Sequence, residues 1–218
     1  MKTLLLTACS PAYFPLGVVV DPNHRQYAAR HGYDYVCAPH DQEGVMGNTD
    51  LSVAALRRVL DAFKSGFEQV VTHGIDVLFT NHTRKFESIM PGAPVVIARE
   101  EISFWPINAD VIIYRNDAEG KCRAFILRLL LEETIWKGYR WGVQQHIWNL
   151  IQTDKATREA ISLVPARTMN STMQVCPSRW QLGDFICHLL DMPLANRVSL
   201  AEQIIGIAGP DYDGTFKQ

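Results

Sequence analysis

Short apolar runs alternate with helical patterns along most of this chain. Runs bounded by turn residues predict strands at residues 3–8, 33–37, 95–98 and 111–114, with a short one around Val164. Apolar positions spaced three and four residues apart predict helices at residues 23–30, 52–63, 122–137, 143–151 and 200–207. Gly32 and Gly66 stand just after the first two of these helices, a common position for glycine.

The middle of the chain departs from this alternation. Residues 69–72 and 76–80, with apolar centres at 70–71 and 77–79, flank His73, Gly74 and Ile75, which predicts one buried strand that is broken or bent at its centre. Asp76 is the one carboxylate in this stretch. Because an isolated buried carboxylate is costly, Asp76 is expected either to cap a turn by accepting backbone hydrogen bonds or to bind a metal ion.

The alternation predicts an α/β fold with a mostly parallel sheet flanked by helices, since parallel strands are joined by crossover helices. The sequence shows no internal repeat, low-complexity run or linker. We therefore expect a single Rossmann-like domain over residues 1–208, followed by a polar tail at 209–218.

Composition and charge narrow the function only slightly. The chain has 218 residues and a net charge of −2, so long-range electrostatics do not favour a nucleic-acid partner, although they do not exclude one. No apolar run approaches the roughly 18 residues of a membrane span. The five cysteines lack the spacing of a metal site, which favours reduced thiols and a cytoplasmic location.

Polar residues that follow apolar runs are the first candidates for chemistry, because ligands of doubly wound sheets bind beyond the carboxyl ends of the strands. Three segments qualify, namely residues 7–13, 73–81 and 183–188. Asp76 in the second and His188 in the third are oxygen and nitrogen ligands suited to Mn²⁺ or Mg²⁺ bound together with a diphosphate. Each residue alone is as well explained by packing or by a turn.

Several short blocks, taken in order, resemble the galactosyl/xylosyl transferases of the GMA12/MNN10 type, a family of retaining glycosyltransferases with the GT-A fold. The blocks are residues 27–35 (YAARHGYDY), 54–57 (AALR), 74–81 (GIDVLFTN), 108–116 (NADVIIYRN), 170–171 (NS) and 183–188 (GDFICH). Gln144 and Gln145 stand where the family usually has an acidic residue followed by glutamine. The resemblance spans about residues 1–190 and implies a GT-A fold for the domain.

The resemblance also implies roles for individual residues. Asp76 matches the metal-binding carboxylate of the family's DxD motif, and His188 matches its late metal-binding histidine. Asp110 and Gln145 are the catalytic candidates, with Gln145 beside the anomeric carbon and Asp110 facing the sugar or the acceptor. The residues assigned to the nucleotide-sugar donor are Thr7, Ala8, Cys9, Ser10, Tyr13, Arg57, Gly74, Ile75, Asp76, Asn108 and Asp184.

Two departures from the family pattern fall on matched site positions. Gly74 stands where the family has the first aspartate of DxD, and Asp110 stands where the family has a glycine. His73 is a candidate replacement for the missing carboxylate. Asp110 adds a carboxylate that either binds an acceptor hydroxyl or narrows the donor pocket.

The resulting expectation is a metal-dependent, retaining glycosyltransferase that moves a hexose or pentose from a nucleotide sugar, with UDP-sugars favoured, to an acceptor hydroxyl. If Asp110 were a general base, inversion would follow instead. A nucleotide-sugar-binding module without turnover is one alternative, supported by Gly74. A nucleotidyltransferase is another, although residues 9–12 (CSPA) are not the Gly-rich phosphate loop expected there. The acceptor stays open between a protein glycan, a lipid, a polysaccharide and a modified nucleobase.

Overall fold

A computed structural model describes residues 1–39, 48–101 and 106–208, and the predicted polar tail lies outside these residues. The described strands are β1 (Thr3–Cys9), β2 (Asp34–Pro39), β3 (Gln69–Thr72), β4 (Val77–Phe79), β5 (Val95–Arg99), β6 (Ile107–Arg115), β7 (Ile161–Val164), β8 (Ser171–Thr172) and β9 (Ile186–His188). The described helices are α1 (Phe14–His31), α2 (Asn48–Lys64), α3 (Lys121–Leu131), α4 (Glu133–Trp136), α5 (Gly142–Thr153), α6 (Lys155–Ala160), α7 (Ala166–Met169) and α8 (Leu194–Ile207).

The central sheet has six strands in the order β2-β1-β3-β6-β5-β7. β1 is parallel to β2 and β3, and β5 is parallel to β7, whereas β6 is antiparallel to β3 and β5. The prediction of an α/β fold with a mostly parallel sheet flanked by helices is confirmed.

The two faces of this sheet carry separate hydrophobic clusters, as the alternation of side chains along a strand requires. Leu4 and Leu6 of β1 pack with side chains of α2, α3 and α5 on one face. Leu5 packs on the other face with α1, β4 and β9. Burial on both faces explains why the strands read as continuous apolar runs in the sequence.

The first helix is longer than predicted. α1 begins at Phe14 rather than at residue 23, contains Pro22, and ends at Gly32, whose φ of 67° closes the helix in the left-handed conformation. Its buried face includes Gly17, Asn23 and His24, which are not apolar side chains, so the hydrophobic pattern of the sequence does not predict the N-terminal half of this helix.

The predicted helix 122–137 is two helices, because Glu132 leaves helical geometry between α3 and α4. The last helix, α8, begins at Leu194 rather than at residue 200, directly after Pro193. This earlier start adds Arg197 to the helix. No helix in the described part of the chain is both long enough and apolar enough to cross a lipid bilayer.

A second, three-stranded sheet in the order β4-β9-β8 corrects the prediction for the middle of the chain. Residues 69–80 were expected to form one broken strand, but β3 belongs to the central sheet and β4 to the small one. The chain changes sheets at residues 73–76. This change places Asp76 at the junction of the two sheets.

Candidate metal and nucleotide-sugar site

A cleft of about 700 Å³ opens where β1 and β3 end and β6 begins. This is the edge of an α/β sheet at which ligands usually bind. The cleft is lined by side chains from both sheets, from the first turns of α2, from the segment before α5 and from α8.

Strand pairing in the small sheet brings Asp76 and His188 together. β4 and β9 are antiparallel with Val77 opposite His188, and the backbone N–H of Leu189 donates to the Asp76 carbonyl oxygen at 2.8 Å. As a result, His188 Nε2 lies 3.6 Å from Asp76 Oδ1. Residues 112 positions apart in the sequence are therefore neighbours.

Asp110 reaches the same point from the central sheet. β6 is antiparallel to β3, and beyond the end of β3 the backbone N–H of Gly74 donates to the Asp110 carbonyl oxygen at 3.1 Å. This pairing places Asp110 Oδ2 3.2 Å from His188 Nε2. Two carboxylates from different sheets thus face one imidazole.

The His188 ring is held in a fixed orientation by Asn170. The Asn170 Oδ1 lies 2.9 Å from His188 Nδ1, and because an amide oxygen only accepts, Nδ1 carries a proton. When the ring is neutral, the lone pair is therefore on Nε2, which is buried and makes no hydrogen bond. This is the tautomer that binds a metal through Nε2.

The charges of His188 and of the groups around it shift one another's pKa values. Burial disfavours the charged imidazole, but the carboxylates of Asp76 and Asp110 outweigh burial and raise the pKa of His188 to about 9. Burial also disfavours the charged Asp76, yet His188 and Arg197 lower the pKa of this carboxyl below its usual value. Arg197 Nη1 forms an ion pair with Asp76 Oδ2, and both side chains are largely buried, at 13% and 16% exposure.

A small polar network holds Asp110 from the other side. Asn108 Nδ2 donates to Glu100 Oε2 at 3.0 Å, and Asn108 Oδ1 accepts from the Asp110 backbone N–H at 2.9 Å. The side chain of Asn108 is thus engaged in positioning its neighbours. The Asp110 side chain is 49% exposed, and its partial removal from water within the cleft raises the pKa of its carboxyl, with the charges of Asp76 and Glu100 acting in the same direction.

These side chains are of the types that bind a hard divalent cation, although they are not placed as a metal site. Adjacent ligands of an octahedral ion with bonds of about 2.1 Å lie roughly 3 Å apart, close to the separations of His188 Nε2 from the two carboxylates. An unpartnered imidazole nitrogen facing carboxylate oxygens suits Mn²⁺ or Mg²⁺. As they stand, no three His, Cys, Asp or Glu side chains in the described ranges are arranged to hold an ion, and Arg197 already binds Asp76.

Most of the residues predicted for the site line the cleft. They are Thr7, Ala8, Ser10, Tyr13, Gly74, Ile75, Asp76, Asn108, Asp110 and His188. The first four lie at the exit of β1, and the others surround the junction of the two sheets.

Four predicted residues do not line the cleft, and two of them miss it by one helical position. Arg58 lines the cleft and Arg57 does not, and Gln144 lines it in place of Gln145, with its Oε1 accepting from the Ala109 backbone N–H at 3.0 Å. Neighbouring positions of a helix point about 100° apart, so an assignment shifted by one residue changes the face.

The other two have structural partners elsewhere. The Cys9 thiol packs beside Gly17 of α1, and burial raises its pKa to about 11. The Asp184 carboxylate accepts from Arg167 Nη2 at 2.7 Å, and from Ser171 Oγ and the Gln181 backbone N–H, each at 2.9 Å. Asp184 thus braces the turn before β9.

His73, the candidate replacement for the missing carboxylate, lines the cleft but points into a different environment. Its Nδ1 lies 3.2 Å from the Gly74 carbonyl oxygen, and its ring packs against His24 and Phe79 with centroid distances of 4.4 and 5.3 Å. Burial keeps the pKa of His73 well below its usual value, so the ring is neutral.

Sequence reasoning missed several residues of the cleft. Arg197 and Glu100 are charged groups within it, and Tyr139 and Trp141 form part of its wall before α5. Trp141 is 39% exposed, unlike the buried Trp136. The sequence feature that could have predicted Arg197 is the isolated Asp76, because a buried carboxylate needs a positively charged partner.

Comparisons with known proteins agree with this fold. No protein-family model matches the sequence, and no curated protein matches it. The structure is similar to a glycosyltransferase involved in the glycosylation of the major capsid of PBCV-1, with a TM-score of 0.71 and 15% identity over 93% of this chain and 100% of that one.

It is also similar to the glycosyltransferase GlyE of Streptococcus pneumoniae TIGR4. The TM-score is 0.53 with 13% identity over 94% of this chain, and for the apo form it is 0.56 with 13% identity over 95%. In both cases the similarity covers 64% of GlyE, so this chain spans less than two thirds of its length. The chain therefore has a glycosyltransferase fold.

Proposed function

We propose that this chain is a GT-A glycosyltransferase that uses Mn²⁺ or Mg²⁺ to move a hexose or pentose from a nucleoside-diphosphate sugar, with UDP-sugars favoured, to an acceptor hydroxyl. The observation that carries the proposal is the proximity of His188 Nε2 and Asp76 Oδ1, which lie 3.6 Å apart inside the cleft of a glycosyltransferase fold. Membership of the galactosyl/xylosyl transferase family rests on the sequence blocks alone, and the cytoplasmic location rests on cysteine usage.

The residues of the cleft divide into a metal end and a nucleotide end. Asp76 and His188 hold the cation, which offsets the negative charge that develops on the leaving diphosphate. Arg197 places a second positive charge beside Asp76. Ser10 and Tyr13, at the exit of β1, line the cleft, and we assign them to the base and ribose of the donor.

The stereochemistry depends on which group lies by the anomeric carbon. Retention rests on the resemblance, and Gln144 takes the place first assigned to Gln145 because it faces the cleft. Asp110 acting as a general base would give inversion. Anomer-resolved NMR of the product separates these two outcomes.

Donor hydrolysis tests the proposal without knowledge of the acceptor. We expect release of UDP from UDP-sugars by the wild type in Mn²⁺ and little release in a chelator. Asp76→Asn should lower the rate by at least about a hundredfold, because one removed electrostatic contact at a developing charge costs that much. Asp61→Asn, which removes an exposed carboxylate of α2, is the charge-matched control. A wild-type rate that is indifferent to Mn²⁺ contradicts the proposal.

A binding module without turnover is the second candidate, and Gly74 favours it because it removes one carboxylate from the matched motif. This candidate predicts UDP-sugar binding that requires Mn²⁺ but no release of UDP with any acceptor. The hydrolysis measurement separates the two candidates.

A further inference from the structure

Trp141 stands in the wall of the cleft, directly before α5. Among the tryptophans that the structure describes, it is the only exposed one, at 39% exposure. We propose that the indole ring of Trp141 is a subsite for the acceptor, on which the apolar face of a pyranose ring stacks, so that the acceptor hydroxyl belongs to a sugar. The proposal rests on the proposed function and narrows the acceptor to a saccharide.

The other described tryptophans have structural roles. The indole N–H of Trp136 donates to a backbone carbonyl oxygen of α3 at 2.7 Å, and that of Trp180 donates to Thr80 Oγ1 at 3.0 Å. Trp148 packs against the hydrophobic cluster formed by the central sheet with α2, α3 and α5. Packing and hydrogen bonding thus account for these three residues, whereas the ring of Trp141 is exposed in the cleft.

The segment that carries Trp141 is attached to the strand that carries Asp110. Gln144 Oε1 accepts from the Ala109 backbone N–H at 3.0 Å, one residue before Asp110. Trp141 precedes Gln144 by about one helical turn, and both side chains line the cleft. A sugar stacked on Trp141 would therefore lie on the side of the cleft to which β6 contributes Asp110.

The ring of Trp141 is oriented by its neighbours in the chain. The guanidinium carbon of Arg140 lies 5.3 Å from the centre of the Trp141 ring, within the range of a cation–π contact. Gly142 has a φ of 51°, which glycine adopts more readily than other residues, and its backbone N–H donates to the Tyr139 carbonyl oxygen at 3.1 Å. This turn presents the indole before a ligand arrives, which lowers the entropic cost of binding.

The chemistry of the cleft favours a sugar over a nucleobase as the occupant. The face of an indole ring is electronegative and attracts the weakly positive C–H groups on the apolar face of a pyranose. The carboxylates of Glu100, Asp110 and Asp191 line the same cleft, and carboxylates accept hydrogen bonds from hydroxyls. These carboxylates and the net charge of −2 disfavour the phosphates of a nucleic acid.

The indole N–H signals in two-dimensional NMR test the proposal in the full chain without knowledge of the natural acceptor. The probes are the methyl pyranosides of glucose, galactose, mannose and xylose, with adenosine as the rival, added to isotope-labelled protein saturated with UDP and Mg²⁺. Each of the five tryptophans gives one indole signal, and Trp141→Phe identifies that of Trp141 by its loss. We expect at least one pyranoside to shift the Trp141 signal.

The affinity for that pyranoside provides a second measurement. Trp141→Ala should weaken its binding by about tenfold, because the stacking surface is lost, and Trp141→Phe should weaken it less, because a smaller aromatic face remains. Trp148→Phe is the matched control, since Trp148 lies on the same helix but packs against the core, and it should bind the pyranoside like the wild type. Thermal melting confirms that each variant is folded.

Each outcome supports or overturns the inference. A shift of the Trp141 signal together with weaker binding by Trp141→Ala supports it. If UDP binds but no pyranoside shifts that signal, or if Trp141→Ala binds like the wild type, the inference is overturned and the proposed function stands. A shift caused by adenosine alone assigns the ring to a nucleobase and also overturns the inference. If UDP does not bind, the proposed function fails, and this inference fails with it.

Discussion

At the scale of single residues, the main feature of the site is that positively charged side chains neutralise the buried carboxylate of Asp76. Arg197 and His188 do so, and both contacts are buried. Breaking a buried ion pair costs far more than breaking an exposed one, because the remaining charge has no solvent. In the proposed site, Arg197 and a cation would therefore compete for the same carboxylate.

Arg197→Met measures this competition. The substitution should lower the free energy of unfolding of the metal-free protein by about 3 kcal/mol, because it leaves Asp76 without its guanidinium partner. Mn²⁺ should then stabilise the variant more than it stabilises the wild type. Urea denaturation with and without Mn²⁺ gives both quantities.

The control is Arg167→Met, since Arg167 pairs with Asp184 while 42% exposed. Its cost should be much smaller than that of Arg197→Met, with no dependence on Mn²⁺. Equal Mn²⁺ stabilisation of wild type and Arg197→Met would contradict the competition.

At the scale of elements, the packing of α1 against the small sheet depends on buried polar contacts. His24 of α1 donates from Nε2 to the Val77 carbonyl oxygen at 2.6 Å, and its ring contacts His73 edge-on. Burial lowers the pKa of His24 to about 4. The folded protein therefore holds this imidazole neutral at pH values where the unfolded chain binds a proton.

The sign of the pH dependence follows. Near pH 7 the imidazole is neutral in both the folded and the unfolded state, so the contribution of His24 to stability is intact. As the pH falls from about 6.5 to 4, the unfolded state binds a proton that the folded state does not. Stability should fall by up to about 1.4 kcal/mol per pH unit for this group. His24→Gln should show a shallower slope over this range, whatever its absolute stability. Identical slopes in urea denaturation at pH 7, 6, 5 and 4.5 would refute the assignment.

Sequence reasoning succeeded where burial leaves a simple pattern. Strands buried on both faces appear as apolar runs, and β1, β5 and β6 were placed for that reason. The half of α1 before Asn23 was missed because its buried face includes Gly17 and its interior contains Pro22. Side-chain directions were predicted less well, because the sequence alone does not show which way a side chain points. Cys9, for example, was assigned to the donor site but packs beside Gly17.

At the scale of the whole molecule, the two sheets explain why the site forms where it does. The chain leaves the central sheet after β3 and enters the small sheet at β4, so residues 73–76 bridge the two. β9 returns beside β4, and α8 follows it to bring Arg197 over the junction. The fold thus gathers groups from the middle and the end of the sequence at one edge.

Asp76 and His188 are proposed to hold a cation that binds the diphosphate of a nucleotide-sugar donor. The most direct test is isothermal titration of the wild type, Asp76→Asn and His188→Gln with UDP, each in Mn²⁺ and in a chelator. We expect Mn²⁺ to strengthen UDP binding by at least about tenfold in the wild type, with both variants losing most of this gain. Equal UDP affinity with and without Mn²⁺ in the wild type, or an undiminished gain in both variants, would contradict the account.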